Sequence, residues 1–272
     1  MSEWVDRSID EASKSGYLDR LHAVYTIGRA VERSLPKGMA RGIAEAHDNH
    51  DQESLVRELL KLEKFPIDDP YVRYLAKEER ALGENPETVK RIGDRLLEMP
   101  VDELLRRCRE PKVINRQMGS MFRTWLGKLD YLMLSEAEFS TGEAAVYCGK
   151  PATIVLLKGT GRTLTKYANE KLSCGLDTEL DLLARVHNEH IIGEAKYFGD
   201  FGGHQRGQFE KAVAFAHSVQ GAAIRIVIFD GVIWLDRKNT MCQQVRRLQV
   251  PTMSALLLQD YLASLTHQRG RL

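Results

Sequence analysis

Apolar residues recur with helical spacing over much of the first half of this chain and with strand spacing over part of the second. Residues 52–63, QESLVRELLKLE, place Leu55, Val56, Leu59, Leu60 and Leu62 largely on one stripe with charges elsewhere, which predicts an amphipathic helix. Pro66 and Pro70 interrupt the run, and 71–82 resumes it. Asn85-Pro86 opens another helix, with Glu87 in the first turn where the macrodipole favours an acid. Met99-Pro100 stops that helix and VDELLRRCRE begins the next. A further stretch, 113–127, carries Met118, Met121, Phe122, Trp125 and Leu126 at spacings that suit a core face.

Near residue 140 the texture changes. Gly142, Gly149, Pro151, Gly159 and Gly161 cluster as turn residues around the β-prone TIVLL. A helical pattern returns over 162–172. ELDLLARV (179–186), a polar HNEH turn and IIGEAKY (191–197) then predict a β-hairpin. A helix is expected over 204–219, a buried strand or strand–turn–strand over 224–235, and a last helix over SALLLQDYLASL. The resulting division is a helical lobe over 1–110 and an α/β core over 111–272, with no repeats and no long linker between them.

Composition narrows the class. With 43% hydrophobic residues in 272, the chain can bury a full core. Its charged residues, 28% of the chain, sum to a net charge of +1, which excludes a polybasic tail protein. A DNA binder is still accommodated, because a metal-binding acidic cluster offsets a basic groove. Cys108, Cys148, Cys174 and Cys242 form no CxxC pair and read as reduced thiols rather than a zinc site or disulfide framework. The opening MSEWVDRSID is too polar for a signal peptide, and apolar runs such as IRIVIF are far shorter than the ~20 residues of a membrane span. A cytoplasmic protein is expected.

Strand alternation selects the candidate chemistry. On the second hairpin strand Ile192, Glu194 and Lys196 share a face, and on the first Asp181 shares one with Leu183 and Arg185. A turn around His187–His190 brings Asp181 near Glu194 and Lys196. Two carboxylates suit Mg²⁺, which takes oxygen ligands and keeps waters, and the carbonyl of Ala195 is a further oxygen between them. A lysine two residues after a ligating glutamate points at the same water and phosphate. The competing reading of a Glu-x-Lys triplet is a solvated strand face or a cross-strand salt bridge. Asp177, four residues before Asp181 and of the same parity, is a rival first acid, and Glu143 and Glu170 are further acids from preceding segments.

An Asp on one strand followed on the next by Glu-x-Lys resembles the PD-(D/E)xK nuclease superfamily. More narrowly, GEAKYFGDFGGHQRGQFEKA (193–212), NRQMGSMFRTWL (115–126) and SALLLQDYL (254–262) are similar to blocks found in a group of bacterial type II restriction endonucleases. The resemblance covers about the last 160 residues. Leu180 stands where the strict motif has proline.

The resemblance implies a mixed sheet flanked by helices and Mg²⁺-dependent cleavage of specific duplex DNA. Asp181 and Glu194 would serve the metal, and Lys196 the chemistry. His204, Gln205, Arg206 and Gln208, after the Gly202-Gly203 turn, are then candidates for phosphate or base contact at a helix start. Asn115, Arg116 and Gln117 have the donors and acceptors that read adenine and guanine in the major groove. Arg237-Lys238-Asn239 and Gln243–Arg247 form a third, phosphate-facing candidate. Symmetric cutting of both strands implies a homodimer, and protection of the host genome implies a companion DNA methyltransferase. A structure-selective repair nuclease and a noncatalytic DNA-binding protein are the alternatives.

Overall fold

A computed structural model describes residues 3–26, 32–78, 80–110, 117–141, 146–147, 150–151, 153–218 and 220–267. Helices α1 (Glu3–Ser13) and α2 (Tyr17–Val24) open the chain. They are followed by α3 (Met39–Asp48), α4 (Gln52–Leu60), α5 (Val72–Leu75), α6 (Ala81–Glu84), α7 (Pro86–Leu97), α8 (Val101–Cys108) and α9 (Met118–Leu126). Strands enter with β1 (Leu132–Leu134), then helix α10 (Glu136–Ser140), β2 (Val146–Tyr147), β3 (Lys150–Pro151) and β4 (Ile154–Leu157). Helix α11 (Gly161–Leu172), β5 (Leu182–Val186), β6 (Glu189–Phe198), α12 (Gly203–His217) and β7 (Ile224–Gly231) come next, and α13 (Thr240–Val245), β8 (Thr252–Met253) and α14 (Leu258–His267) end the chain.

These elements form two compact units, Gly28–Lys112 on one side and Met1–Ile27 with Val113–Leu272 on the other. The helical unit therefore begins at Gly28, and α1 and α2 belong with the sheet. Within the helical unit, Ile43, Leu55, Val56, Leu59, Ile92, Leu96 and Leu104 are buried together. Asp51 caps α4 by accepting from the Ser54 amide at 3.0 Å, as expected of an Asp that satisfies a helix N-terminus.

The other unit is a mixed α/β structure around a six-stranded sheet of order β1-β4-β5-β6-β7-β8. The β4–β5 and β5–β6 pairs are antiparallel, while β1–β4, β6–β7 and β7–β8 are parallel. Residues Ile226–Phe229 are all buried, which is why they read as a continuous apolar run rather than an alternating one, and β5 is buried throughout, Arg185 included. Helix α12 covers one face of β6 and β7 through its stripe of Gln205, Phe209, Ala212 and Ala216, with the Phe209 ring 6.1 Å from Phe198 and 5.6 Å from Phe229.

Three element boundaries differ from the periodicity. The apolar run 224–235 is a strand only as far as Gly231, where φ is +88° and a side chain would strike the Phe198 carbonyl; Val232–Trp234 then form a 3₁₀ turn. The helix expected from 113 is described from Met118, and the hairpin strand expected from 179 starts at Leu182. No helix among the described residues is long and apolar enough to cross a membrane.

Candidate active site

The hairpin sets the site. β5 and β6 pair in the register Leu182↔Gly193 to Val186↔Glu189, so His187 and Asn188 form a two-residue turn, with His187 at φ 51°. Asp181 stands one residue before β5, where the two strands part. Its amide donates to the Gly193 carbonyl at 2.9 Å, and its Oδ2 accepts from the Ala195 amide at 3.0 Å. The carboxylate is thus held by the backbone of the strand that carries Glu194 and Lys196. Arg123, on α9, pairs with Oδ1 of the same carboxylate. One turn earlier on α9, Gly119 lies so close that a Cβ there would stand 2.8 Å from Oδ1.

Glu194 and Lys196 share a face of β6 and pair directly, Nζ to Oε1 at 2.6 Å. Glu194 is 2% exposed and Asp181 5%. Burial pushes both carboxyls above their ordinary range, and the nearby Lys196 ammonium is the strongest influence pulling each back. Oε2 of Glu194 is buried with no hydrogen-bond partner among the described residues. Leaving a carboxylate oxygen out of water without a donor is costly unless a cation serves it. Asp181, Lys196 and Arg123 border a cavity of about 380 Å³.

This donor set fits a hard divalent cation: Asp181 borders a cavity with room for waters and a phosphate, and Glu194, not itself on the cavity lining, pairs with the lining residue Lys196 and has an orphaned oxygen. Among the described residues no three His, Cys, Asp or Glu side chains converge to hold a metal. Glu179 also borders the cavity, but it is exposed and pairs with Arg162 at 3.0 Å, whereas Asp181 and Glu194 are buried.

The cavity also gathers His204, Gln205 and Gln208 from α12. Gln205 is buried on the stripe that faces the sheet, so it is less a surface reader than the residue beside the carboxylates. Arg206 turns away to Glu210 at 3.2 Å. Asp200 accepts from the Gly202 amide at 2.7 Å and so shapes the turn into α12. Asp177 is exposed and does not border the cavity, which separates it from Asp181. Glu170 is exposed and faces Lys166.

Gln117 immediately precedes α9 and its carbonyl accepts from Ser120, whereas Asn115, Arg116, Glu143 and Cys148 lie outside the described residues. Asn239 caps α13 by accepting from the Met241 amide at 2.9 Å, while Arg237 and Lys238 are exposed. Arg123 was not among the candidates drawn from the sequence. Its signal was present as a glycine and an arginine four apart, hence on one side of the helix, with Arg123 the helix's only charged residue.

A family model described as Tsp45I type II restriction enzyme matches residues 2–265. No curated protein and no solved structure matches the chain.

Proposed function

The chain belongs to the Tsp45I type II restriction enzyme family, and on that premise we propose that it cleaves both strands of a specific duplex site by Mg²⁺-dependent hydrolysis at Asp181, Glu194 and Lys196. Membership makes it a site-specific deoxyribonuclease, and type II restriction enzymes generally use divalent metal ions. The assignment of chemistry to these three residues rests above all on Glu194, whose Oε2 is buried without a partner among the described residues, beside Asp181 and Lys196. A mixed sheet carrying an acid before one strand and Glu-x-Lys on the next favours the PD-(D/E)xK reading of the core.

Asp181 and Glu194 would hold the ion. The Ala195 carbonyl shares the strand edge from which the Ala195 amide reaches Asp181, just beyond the start of β5, and would add a third oxygen. When bound, Mg²⁺ offsets charge developing on the phosphate and acidifies a coordinated water. Lys196, at the cavity wall, orients the attacking water and donates to the phosphate. Water oxygen bonds to phosphorus as the P–O3′ bond breaks, leaving a 5′-phosphate and a 3′-hydroxyl that takes up a proton. His204 and Gln208 would steady the DNA backbone next to the cut, with Gln205 supporting them from the buried face and Arg206 outside the cavity. Asn115, Arg116 and Gln117 remain the proposed base readers.

The helical unit, Gly28–Lys112, is proposed to embrace DNA or to join two copies of the chain, and a companion methyltransferase to modify the same site. A homodimer follows from the symmetry of a double-strand cut. Sedimentation of the protein on a duplex bearing its site checks this: one chain per duplex would contradict it.

The central experiment incubates purified protein with an unmethylated phage genome, in Mg²⁺ or in EDTA, beside Lys196→Ala. Discrete fragments are expected with Mg²⁺ alone, with the rate reduced at least ~10²-fold in the variant. Equal fragmentation by Lys196→Ala, or in EDTA, would remove these residues from the reaction.

A further inference from the structure

Arg123 stands in an unusual place for a cation. It comes from α9 and reaches across to a carboxylate 58 residues later in the chain, one that already has a backbone donor on its other oxygen. The approach requires Gly119, since a methyl group there would press on the same Oδ1. Only Nη1 of Arg123 has a partner among the described residues. A guanidinium carries five N–H donors, so the described residues take up only part of its capacity. Its side chain is 27% exposed against 7% for Asp181, and it borders the cavity that Lys196 borders.

The charges give this a consequence. Asp181 with Arg123, and Glu194 with Lys196, sum to zero, which is how two carboxylates stay buried together. A divalent cation taking both carboxylates would compete with Arg123 for Oδ1. It would leave the site with a net charge of two, suited to a phosphodiester. A displaced guanidinium at the cavity wall matches phosphate in its fork geometry, as lysine does not.

Building on the metal site proposed above, we infer that Arg123 occupies two positions in turn. It is the counter-ion of Asp181 in the DNA-free protein and a ligand of the scissile phosphate once the ion takes over Asp181. Displacing Arg123 costs some metal affinity, and the phosphate contact returns it when DNA is bound. Metal loading is thereby coupled to the presence of DNA.

The test uses the full chain at pH 8 with Mn²⁺ as the metal probe, first without DNA by calorimetry. Arg123→Ala is expected to bind Mn²⁺ several-fold more tightly than the parent chain, an increase that mere loss of packing does not produce. On specific duplex in Ca²⁺, its affinity should fall and the slope of log affinity against log salt should lose about one contact, ~0.9. Cleavage should drop ~10²-fold. Arg123→Lys keeps the pair with Asp181 but not the fork, so Mn²⁺ affinity near the parent's and cleavage at least ~10-fold lower are expected. That variant carries the test should the alanine form not fold.

Asp181→Asn separates this inference from the reading beneath it. If Asp181→Asn binds Mn²⁺ as well as the parent does, the metal site itself is wrong. If Asp181→Asn loses Mn²⁺ while Arg123→Ala changes neither Mn²⁺ affinity nor the salt slope, only the role of Arg123 is overturned. Unchanged cleavage by Arg123→Lys also overturns it.

Discussion

Gly119 shows how much of this site depends on a missing side chain. Its hydrogen faces the Asp181 carboxylate, and a Cβ would stand 2.8 Å from Oδ1. Alanine is the better helix former by about 1 kcal/mol, so Gly119→Ala should not weaken α9 itself. The carboxylate must give way instead, while its Oδ2 is held by the Ala195 amide. The expected outcome is a loss of cleavage of about tenfold or more, the scale of a misplaced reacting geometry, with thermal stability within about 1 kcal/mol of the parent. Parallel cleavage kinetics and denaturation curves check this; full activity would mean that Asp181 can move freely without consequence.

At the scale of elements, close helix packing makes a similar demand in the helical unit. Gly93 on α7 faces the start of α4, and a Cβ there would lie 2.3 Å from Gln52 Cβ and 2.8 Å from its Cα. Backbone, not just a side-chain tip, stands in the way. Gln52 is also tied to Asp94 by a hydrogen bond of 3.0 Å, so it cannot easily swing aside. Overpacking of this kind costs typically ~1–3 kcal/mol, against which the gain in helix propensity is about 1. Gly93→Ala is therefore expected to destabilise the protein by roughly 1–2 kcal/mol, read as a lower urea midpoint. An unchanged or higher midpoint would show that α4 and α7 separate at no cost.

Across the sheet-bearing unit, one buried carboxylate joins distant parts of the chain. Asp230, fully buried at the end of β7, accepts from Ser254 Oγ at 2.5 Å, Tyr25 Oη at 2.8 Å and the Ala255 amide at 3.2 Å. It thus ties the segment after α2 to the segment after β8, but it has no ion pair among the described residues. Burial outweighs these donors and pushes its carboxyl up to about 7. Between roughly pH 4 and 7 the folded protein keeps this proton and the unfolded chain has released it. Stability therefore falls as pH rises through that window, since the native state binds more protons there. Asp230→Asn, which cannot titrate, should show a smaller decline in urea midpoint between pH 5 and pH 8 than the parent. Parallel declines would place the titration elsewhere.

The local regularities of the chain decided the hairpin, the shared face of Glu194 and Lys196, and the helix that follows them. Strand parity and turn chemistry act over a few residues and survive in a linear reading. The same regularities carried the resemblance to type II restriction endonucleases that the match over 2–265 then bore out. Parity left Asp177 and Asp181 equal and closeness to the hairpin turn favoured Asp181; the packed structure buries Asp181 beside Ala195 and leaves Asp177 in solvent. Arg123, the orphaned oxygen of Glu194 and the return of α1 and α2 to the sheet-bearing unit were likewise decided by tertiary structure. Each depends on groups far apart in sequence meeting across a core, and no periodicity along the chain records which ones meet.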